Sequence, residues 1–427
     1  DEGLARKFEI HDVSLEDRCL DSLMAGQWHE ANGSVVSVSV MSPQRILRRL
    51  QFIVAIQWMG ATLGLPLLSL FLRQRGISTA EIGVIMSAFF IAGVVTQFVA
   101  GHLADRFGRR VVLASGLFLY AIASPTYLLA VPAVWFIITR AIQGAAAGAI
   151  EVSSLSTVAA LFPENERGAA MSKIFAAQLL GIATGPMFGV FITIDQLGWA
   201  YLFAGIASAA AGFFTLRTLP PTPPEHHHEP LPPVQMTNQV IGAIVGTAAV
   251  GLCVGVYETC WSLLMHTLGA SSTQIRLSWT FFCLPWVLLA GVGGRMADRF
   301  DRRVIAILGG LNGALFLFLY PHIHNIPALL ILGSGEAIGA ALCVPALSSL
   351  LTQGAHDREL GRRQGISTTA NTAALAISAI ISGALFEVSP GLPFTVIAVS
   401  SALLVLTQLF WWRNTPGRID HPATSEV

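Results

Sequence analysis

The sequence predicts an all-α membrane protein of twelve transmembrane helices in two six-helix, pseudo-symmetric halves, and three observations predict it. First, 53% of the 427 residues are hydrophobic and 12% charged, with a mean hydropathy of +0.64. Soluble domains carry about 25% charge, so water is not the main solvent of this chain. Second, Gly101-His-Leu-Ala-Asp-Arg-Phe-Gly-Arg-Arg110 returns as Gly294-Arg-Met-Ala-Asp-Arg-Phe-Asp-Arg-Arg303, seven of ten positions identical at an offset of 193 residues. Such an internal repeat marks a duplicated helical unit. Third, the basic residues segregate between alternate loops, as the positive-inside rule requires.

Taken in order, residues 1–44 hold no run able to cross a bilayer and lack the plan of a secretion signal. Met41 opens a stretch that reads like an ordinary start, so residues 1–40 are expected to be a disordered cytoplasmic extension or an over-long reading of the gene. Apolar runs of about 20 residues suffice to span the hydrocarbon as helices. Six such spans begin near 51, 83, 111, 133, 171 and 198, giving a first bundle over 45–216. Six more begin near 238, 277, 304, 327, 367 and 392, giving a second over 237–413. Between them, 217–236 is rich in Pro and His and reads as a cytoplasmic linker, and 414–427 as a cytoplasmic tail. With the N-terminus inside, eighteen Lys and Arg fall on the cytoplasmic side, and Arg73, Arg75 and Arg276 alone on the other. Both termini are therefore expected in the cytoplasm, and an odd number of spans would scramble the segregation.

The repeated decapeptide sits in the loops between spans 2 and 3 and between spans 8 and 9. Its arginines anchor a loop to one face, Asp105 can accept hydrogen bonds or face a helix N-terminus, and Gly101 permits close helix approach. Only four charged side chains lie well inside spans: Arg140 and Glu151 in span 4, Glu258 in span 7 and Glu336 in span 10. An ion at the bilayer centre costs about 2.5–3.5 kcal/mol even on lenient scales, so each requires a partner, water or a proton. Arg140 and Glu151 fall about 20° apart around their helix and roughly 16 Å along it. They predict one polar stripe facing a wet cavity. Span 5 carries Gly181-Ile-Ala-Thr-Gly185-Pro186-Met-Phe-Gly189, small residues on one face with a helix-weakening proline.

Gly101, Asp105, Arg106, Gly108, Arg109 and Arg110 together resemble motif A of the major facilitator superfamily. Gly294, Asp298, Arg299, Arg302 and Arg303 resemble its second-half copy, with Asp301 where the first copy has Gly108. Arg140-Ala-Ile-Gln143-Gly144 is similar to motif B of proton-coupled members. The run Gly181, Gly185, Pro186 and Gly189 is similar to motif C of drug:proton antiporters, although Val190 replaces the usual second glycine. The resemblance covers about residues 45–413. It implies the major facilitator fold, with spans 1, 4, 7 and 10 lining a central cavity. Asp105 and Arg109 would latch the halves on the cytoplasmic side against span 11, and Arg140 would tune a neighbouring protonation site.

The expected function is secondary active export of a hydrophobic or amphiphilic small molecule in exchange for protons, by alternating access at a plasma membrane, bacterial in kind. Proton-coupled or facilitated uptake of a nutrient is the alternative, and a non-transporting receptor or scaffold is a third possibility. Arg140, Gln143, Glu151, Glu258 and Glu336 are the candidate coupling residues; the reading left open is that the charged ones are structural ion pairs. Small-molecule substrate, protons and membrane lipid are the expected partners of a monomer, without nucleic acid. No cofactor or metal is called for: Cys19, Cys253, Cys260, Cys283 and Cys343 lack ligand spacing, and His226, His227 and His228 read as solvated linker. Neither a phosphate loop nor a hydrolase triad appears, which excludes ATP drive and leaves an enzyme reading little to rest on.

Overall fold

The computed structural model describes residues 42–221, 234–354 and 357–414. The expected extension up to Met41, the triple-histidine segment and the tail from Thr415 lie outside them. By internal contacts the chain divides into Asp1–Arg49, of which only the start of the first helix is described, and Leu50–Val427, which holds everything below.

Every described element is helical, and a helix stands at each of the twelve expected spans. Span 1 is Pro43–Leu63 continued, past Gly64, by Leu65–Gln74; spans 2 to 6 are Thr79–Phe107, Arg109–Ala123, Ala133–Leu161, Glu164–Phe188 and Leu197–Thr218. Span 7 is Asn238–Val256, interrupted by a π turn at Tyr257–Trp261 and resumed at Ser262–Thr267. Spans 8 to 12 are Ser272–Arg299, Arg302–Leu319, Ile326–Thr352, Asp357–Val388 and Leu392–Trp411. Ten of these are long and apolar enough to cross a membrane, and span 8, bent by 49° near its end, makes eleven. The remaining helix is span 5, whose first turns carry Glu166, Arg167 and Lys173 and so dilute its hydropathy. Arg217, assigned to the linker by composition, instead lies in the last turn of span 6.

The duplication extends from sequence into hydrogen bonds. Ser78 caps span 2 in a reciprocal box with Glu81, and Ser271, 193 residues on, caps span 8 in the same way with Gln274. Arg110 donates to the Leu219 carbonyl at the end of span 6 at 3.0 Å, and its counterpart Arg303 donates to the Trp412 carbonyl at the end of span 12 at 3.3 Å. Both partners and both donors differ by the same 193 residues, so the two halves use one set of backbone contacts.

The halves meet chiefly through span 2 against span 11 and span 5 against span 8. At the arginine-poor end this seam is tight. A methyl group at Gly83 would lie 2.5 Å from the Ala379 carbonyl, and Gly383 faces Gly83 in return. The Ala80 amide donates to Glu387 across the same seam at 3.1 Å. The second segment of span 1 packs on the π turn and last turns of span 7, burying Leu68, Phe71, Trp261 and Leu264 in one cluster. Glycines at the arginine-rich ends of the same four spans, Gly101, Gly168, Gly294 and Gly365, face open space. The close approach at the arginine-poor end is thus not repeated at these four positions.

Candidate functional site

Two constellations gather the embedded charges, and span 4 supplies the first. Arg140 is 4% exposed, its guanidinium stacked 4.3 Å from the centre of the Phe89 ring of span 2. Its Nε has no hydrogen-bond partner among the described residues. An embedded acid comes to the same seam from the other half, in a turn that packs on spans 1 and 2. Glu258 stands in the π turn of span 7, where its carbonyl accepts a hydrogen bond from Ser69 of span 1 at 3.3 Å. Such turns aim side chains that a regular helix would place elsewhere. The Glu258 carboxylate is half-buried and makes no hydrogen bond among the described residues.

One expectation needs correction here. The face of span 4 carrying Arg140 and Glu151 does not line a continuous wet stripe. Gly144 and Gly148 between them press on span 2, where a methyl group at Gly144 would overlap the Phe89 carbonyl and one at Gly148 would lie 2.6 Å from that of Gly93. Glu151, at the far end, accepts from Gln97 of span 2 at 3.1 Å. Small residues let two backbones meet, and that contact displaces the water which the polar spacing suggested.

The second constellation is centred on Glu336 of span 10, which is 4% exposed. Tyr257 donates to it at 2.7 Å and Tyr320 at 2.7 Å. It lines a cavity of about 160 Å³ together with Trp261, Trp279, Phe282 and Trp286. The tyrosines and the span 8 tryptophans were not singled out from sequence. The repeat offset could have found one of them: Tyr127 and Tyr320 are 193 residues apart, as are Gln143 and Glu336, and Tyr127 donates to Gln143 at 3.1 Å.

Of the motif A residues, Asp105 and Arg106 are exposed, and Asp105 makes no hydrogen bond or ion pair among the described residues. Gly108 turns the loop with φ +88°, a conformation that suits glycine. In the second copy Asp301 has φ −64° and instead caps span 9, accepting from the Arg303 amide at 2.9 Å. Its carboxylate also pairs with Arg303 at 2.6 Å, and that guanidinium holds the Asp301 carboxyl below its ordinary range. Arg302 is buried and donates to the Ala297 carbonyl at 2.8 Å, while Arg299 is exposed. The glycines of span 5 pack on span 1: a methyl group would lie 2.5 Å from the Ala55 carbonyl at Gly181, 2.7 Å from that of Met59 at Gly185, and against that of Leu63 at Gly189. Pro186 lies within this helix.

A family model described as Major Facilitator Superfamily matches residues 50–243 and again 243–426. The chain belongs to the Major Facilitator Superfamily. It is accordingly a multi-pass membrane transporter and not an enzyme. Multidrug resistance protein 1 of Bacillus subtilis is 22% identical over 377 residues, 83% of this chain and 93% of the relative. Quinolone resistance protein NorA of Staphylococcus aureus is 21% identical, over 84% of this chain and 94% of its own. An MFS-type transporter of Mycobacterium tuberculosis is 30% identical over 158 residues, 37% of this chain but only 27% of that longer protein. Among solved structures, an inward-facing bacterial homologue of the human lysosomal transporter Spinster superimposes with a TM-score of 0.70 at 13% identity, over 88% of this chain and 97% of that one. The xylose transporter XylE of E. coli, inward open, gives 0.66 at 16% identity, over 88% and 97%. At such identities the likeness is one of fold.

Proposed function

We propose that this superfamily member exports a hydrophobic or amphiphilic small molecule in exchange for protons. The observation that carries the reading is that each half brings one embedded charge to the seam: Arg140, stacked on Phe89 of span 2, and Glu258, in the π turn that packs on spans 1 and 2. Their charges are opposite and attract across the seam when Glu258 is ionised. A proton on Glu258 removes that attraction, and its loss restores it, so protonation alters the force between the halves. The multidrug relatives, similar over most of both chains, support export as the direction.

The arginine-rich end is cytoplasmic on this reading, since basic loops stay inside. The chain is then in an inward-facing state, as two of its structural neighbours are described to be. Exposed Asp105 is an open latch that engages span 11 when the halves rock the other way.

The experiment uses proteoliposomes loaded with a fluorescent cationic dye under an imposed proton gradient. Glu258→Gln is expected to abolish gradient-driven flux while gradient-free dye exchange persists. Asp105→Asn should slow both. Gradient-driven flux of wild-type size in the Glu258→Gln variant would discard Glu258 as the coupling group.

A further inference from the structure

Ser69 is a buried hydroxyl in an otherwise apolar helix segment. Leu65 to Leu72 are all buried, and Ser69, 1% exposed, is the one polar residue among them. A hydroxyl taken from water needs a partner, and inside a helix the usual one is the carbonyl one turn back. Thr62, Thr139 and Thr215 of this chain each donate to that carbonyl. Ser69 instead donates across the seam, to the Glu258 carbonyl at 3.3 Å. Its hydroxyl therefore serves span 7 and not its own helix.

What it serves is an interruption that both halves share. Span 1 breaks at Gly64, just before Pro66, which brings no amide hydrogen to the ladder. The π turn of span 7 starts at Tyr257, 193 residues after Gly64. The segment that follows the first interruption packs on the second. A π turn holds one residue more than the α ladder on either side of it. Returning that residue to the ladder would turn one flank of span 7 against the other by about 100°. Glu258 stands at the join.

Three further hydrogen bonds tether the turn, all by its side chains and all to the second half. Tyr257 donates to Glu336 at 2.7 Å, Cys260 to the Ser382 carbonyl at 3.4 Å, and Trp261 to Ser278 at 2.7 Å. Among the described residues, Ser69 alone reaches the turn's backbone from outside, and it alone comes from the first half.

We infer that Ser69 is a positioning residue: its hydroxyl holds the π turn at the Glu258 carbonyl, and so holds the Glu258 side chain toward the seam. Donor and acceptor belong to different halves, so the hold lasts only while these parts of spans 1 and 7 stay together. Its consequence for transport rests on the reading of Glu258 as the coupling group.

The first arm of the test needs no transport. Because the acceptor is a backbone carbonyl, Glu258→Cys leaves the contact in place and puts a thiol where the carboxylate was. Its reaction with a small water-soluble methanethiosulfonate is followed in lipid nanodiscs. Fragment mass spectrometry separates it from buried Cys260. Adding Ser69→Ala should slow the reaction at least about fivefold, as the side chain turns from the seam. Adding Thr62→Ala, which removes a buried hydroxyl bonded to the Trp58 carbonyl of its own helix, should leave the rate unchanged. An unslowed reaction in the Ser69→Ala background, or equal slowing by Thr62→Ala, overturns the inference.

The second arm keeps Glu258 and measures dye flux in proteoliposomes. Ser69→Ala should lower gradient-driven flux at least about tenfold and leave gradient-free exchange within about twofold, a split that general loosening of the fold would not give. Slowed thiol reaction with undiminished driven flux would keep the positioning and overturn the coupling reading beneath it. The two failures are thereby told apart.

Discussion

In the first half, the hydroxyl of Tyr127 reaches Gln143 at 3.1 Å beneath a stacked Tyr201; in the second, Tyr320 reaches Glu336 at 2.7 Å above an open cavity. The donor and the acceptor each sit 193 residues from their counterpart. One skeleton therefore holds an amide in packed surroundings and a carboxylate in a chamber. The helix contacts diverged in a related way. Gly185 lets span 5 lie on the Met59 carbonyl, while its counterpart Ser378 donates a hydrogen bond to the Leu252 carbonyl at 2.6 Å, the same position of span 7. Backbone geometry was kept by different side-chain means: absence of a side chain in one half, a short hydrogen-bonding one in the other. The small-residue face of span 5 is thus explained by its packing on span 1.

The comparison breaks most readily at Gly144. Its counterpart is Ala337, fully buried, whereas a Cβ at Gly144 would overlap the Phe89 carbonyl. Gly144→Ala should destabilise the protein by at least the 1–3 kcal/mol or so of an overpacked core, and Ala337→Gly by only about 1 kcal/mol, the helix-propensity loss. Thermal unfolding of purified variants in detergent measures both. Equal shifts would mean that spans 2 and 4 are no closer than spans 8 and 10.

A second substitution pair sharpens the contrast at Glu336. Replacement by Leu strips the acceptor from two tyrosine hydroxyls, a cost of about 1–3 kcal/mol for each group left unsatisfied. Glu336→Gln imitates Gln143 of the first half, keeps an acceptor, and should cost no more than about 1 kcal/mol. If the two variants unfold alike, the tyrosine bonds contribute nothing and the pairing is incidental.

The twelve helices, the segregated arginines and the twofold plan were legible because each depends on composition or spacing. So were the buried positions of Arg140 and Glu336, since an ion inside a span must turn away from lipid. The partners were not legible. Tyr257 reaches Glu336 across two spans, and Phe89 reaches Arg140 from another, distances in sequence that no local pattern encodes. The polar stripe on span 4 was misread for a similar reason. Gly144 and Gly148, which lie between the two charges, are in three dimensions the contact with span 2. Glu258 was visible as a charge, but the π turn that aims it at the seam has no signature in its sequence.

The smallest expected effect distinguishes the two charged loops. Gly108 turns the first by adopting positive φ, and Asp301 turns the second by capping span 9 and pairing with Arg303. Only the second should therefore respond to acid. Arg303 depresses the Asp301 carboxyl in the folded protein. Its contribution is fully present above the ordinary aspartate value, near 4, and is lost as pH falls through the lower folded value. With both side chains partly exposed, at 32% and 28%, the pair itself is screened. Cap and pair together are expected to give about 1 kcal/mol. Asp301→Asn, which keeps capping ability but not charge, should lower the melting temperature slightly at neutral pH, and the gap to wild type should close in acid. A gap that is independent of pH would assign the stabilisation to the cap alone. The second loop would then differ from the first in backbone conformation without any electrostatic consequence.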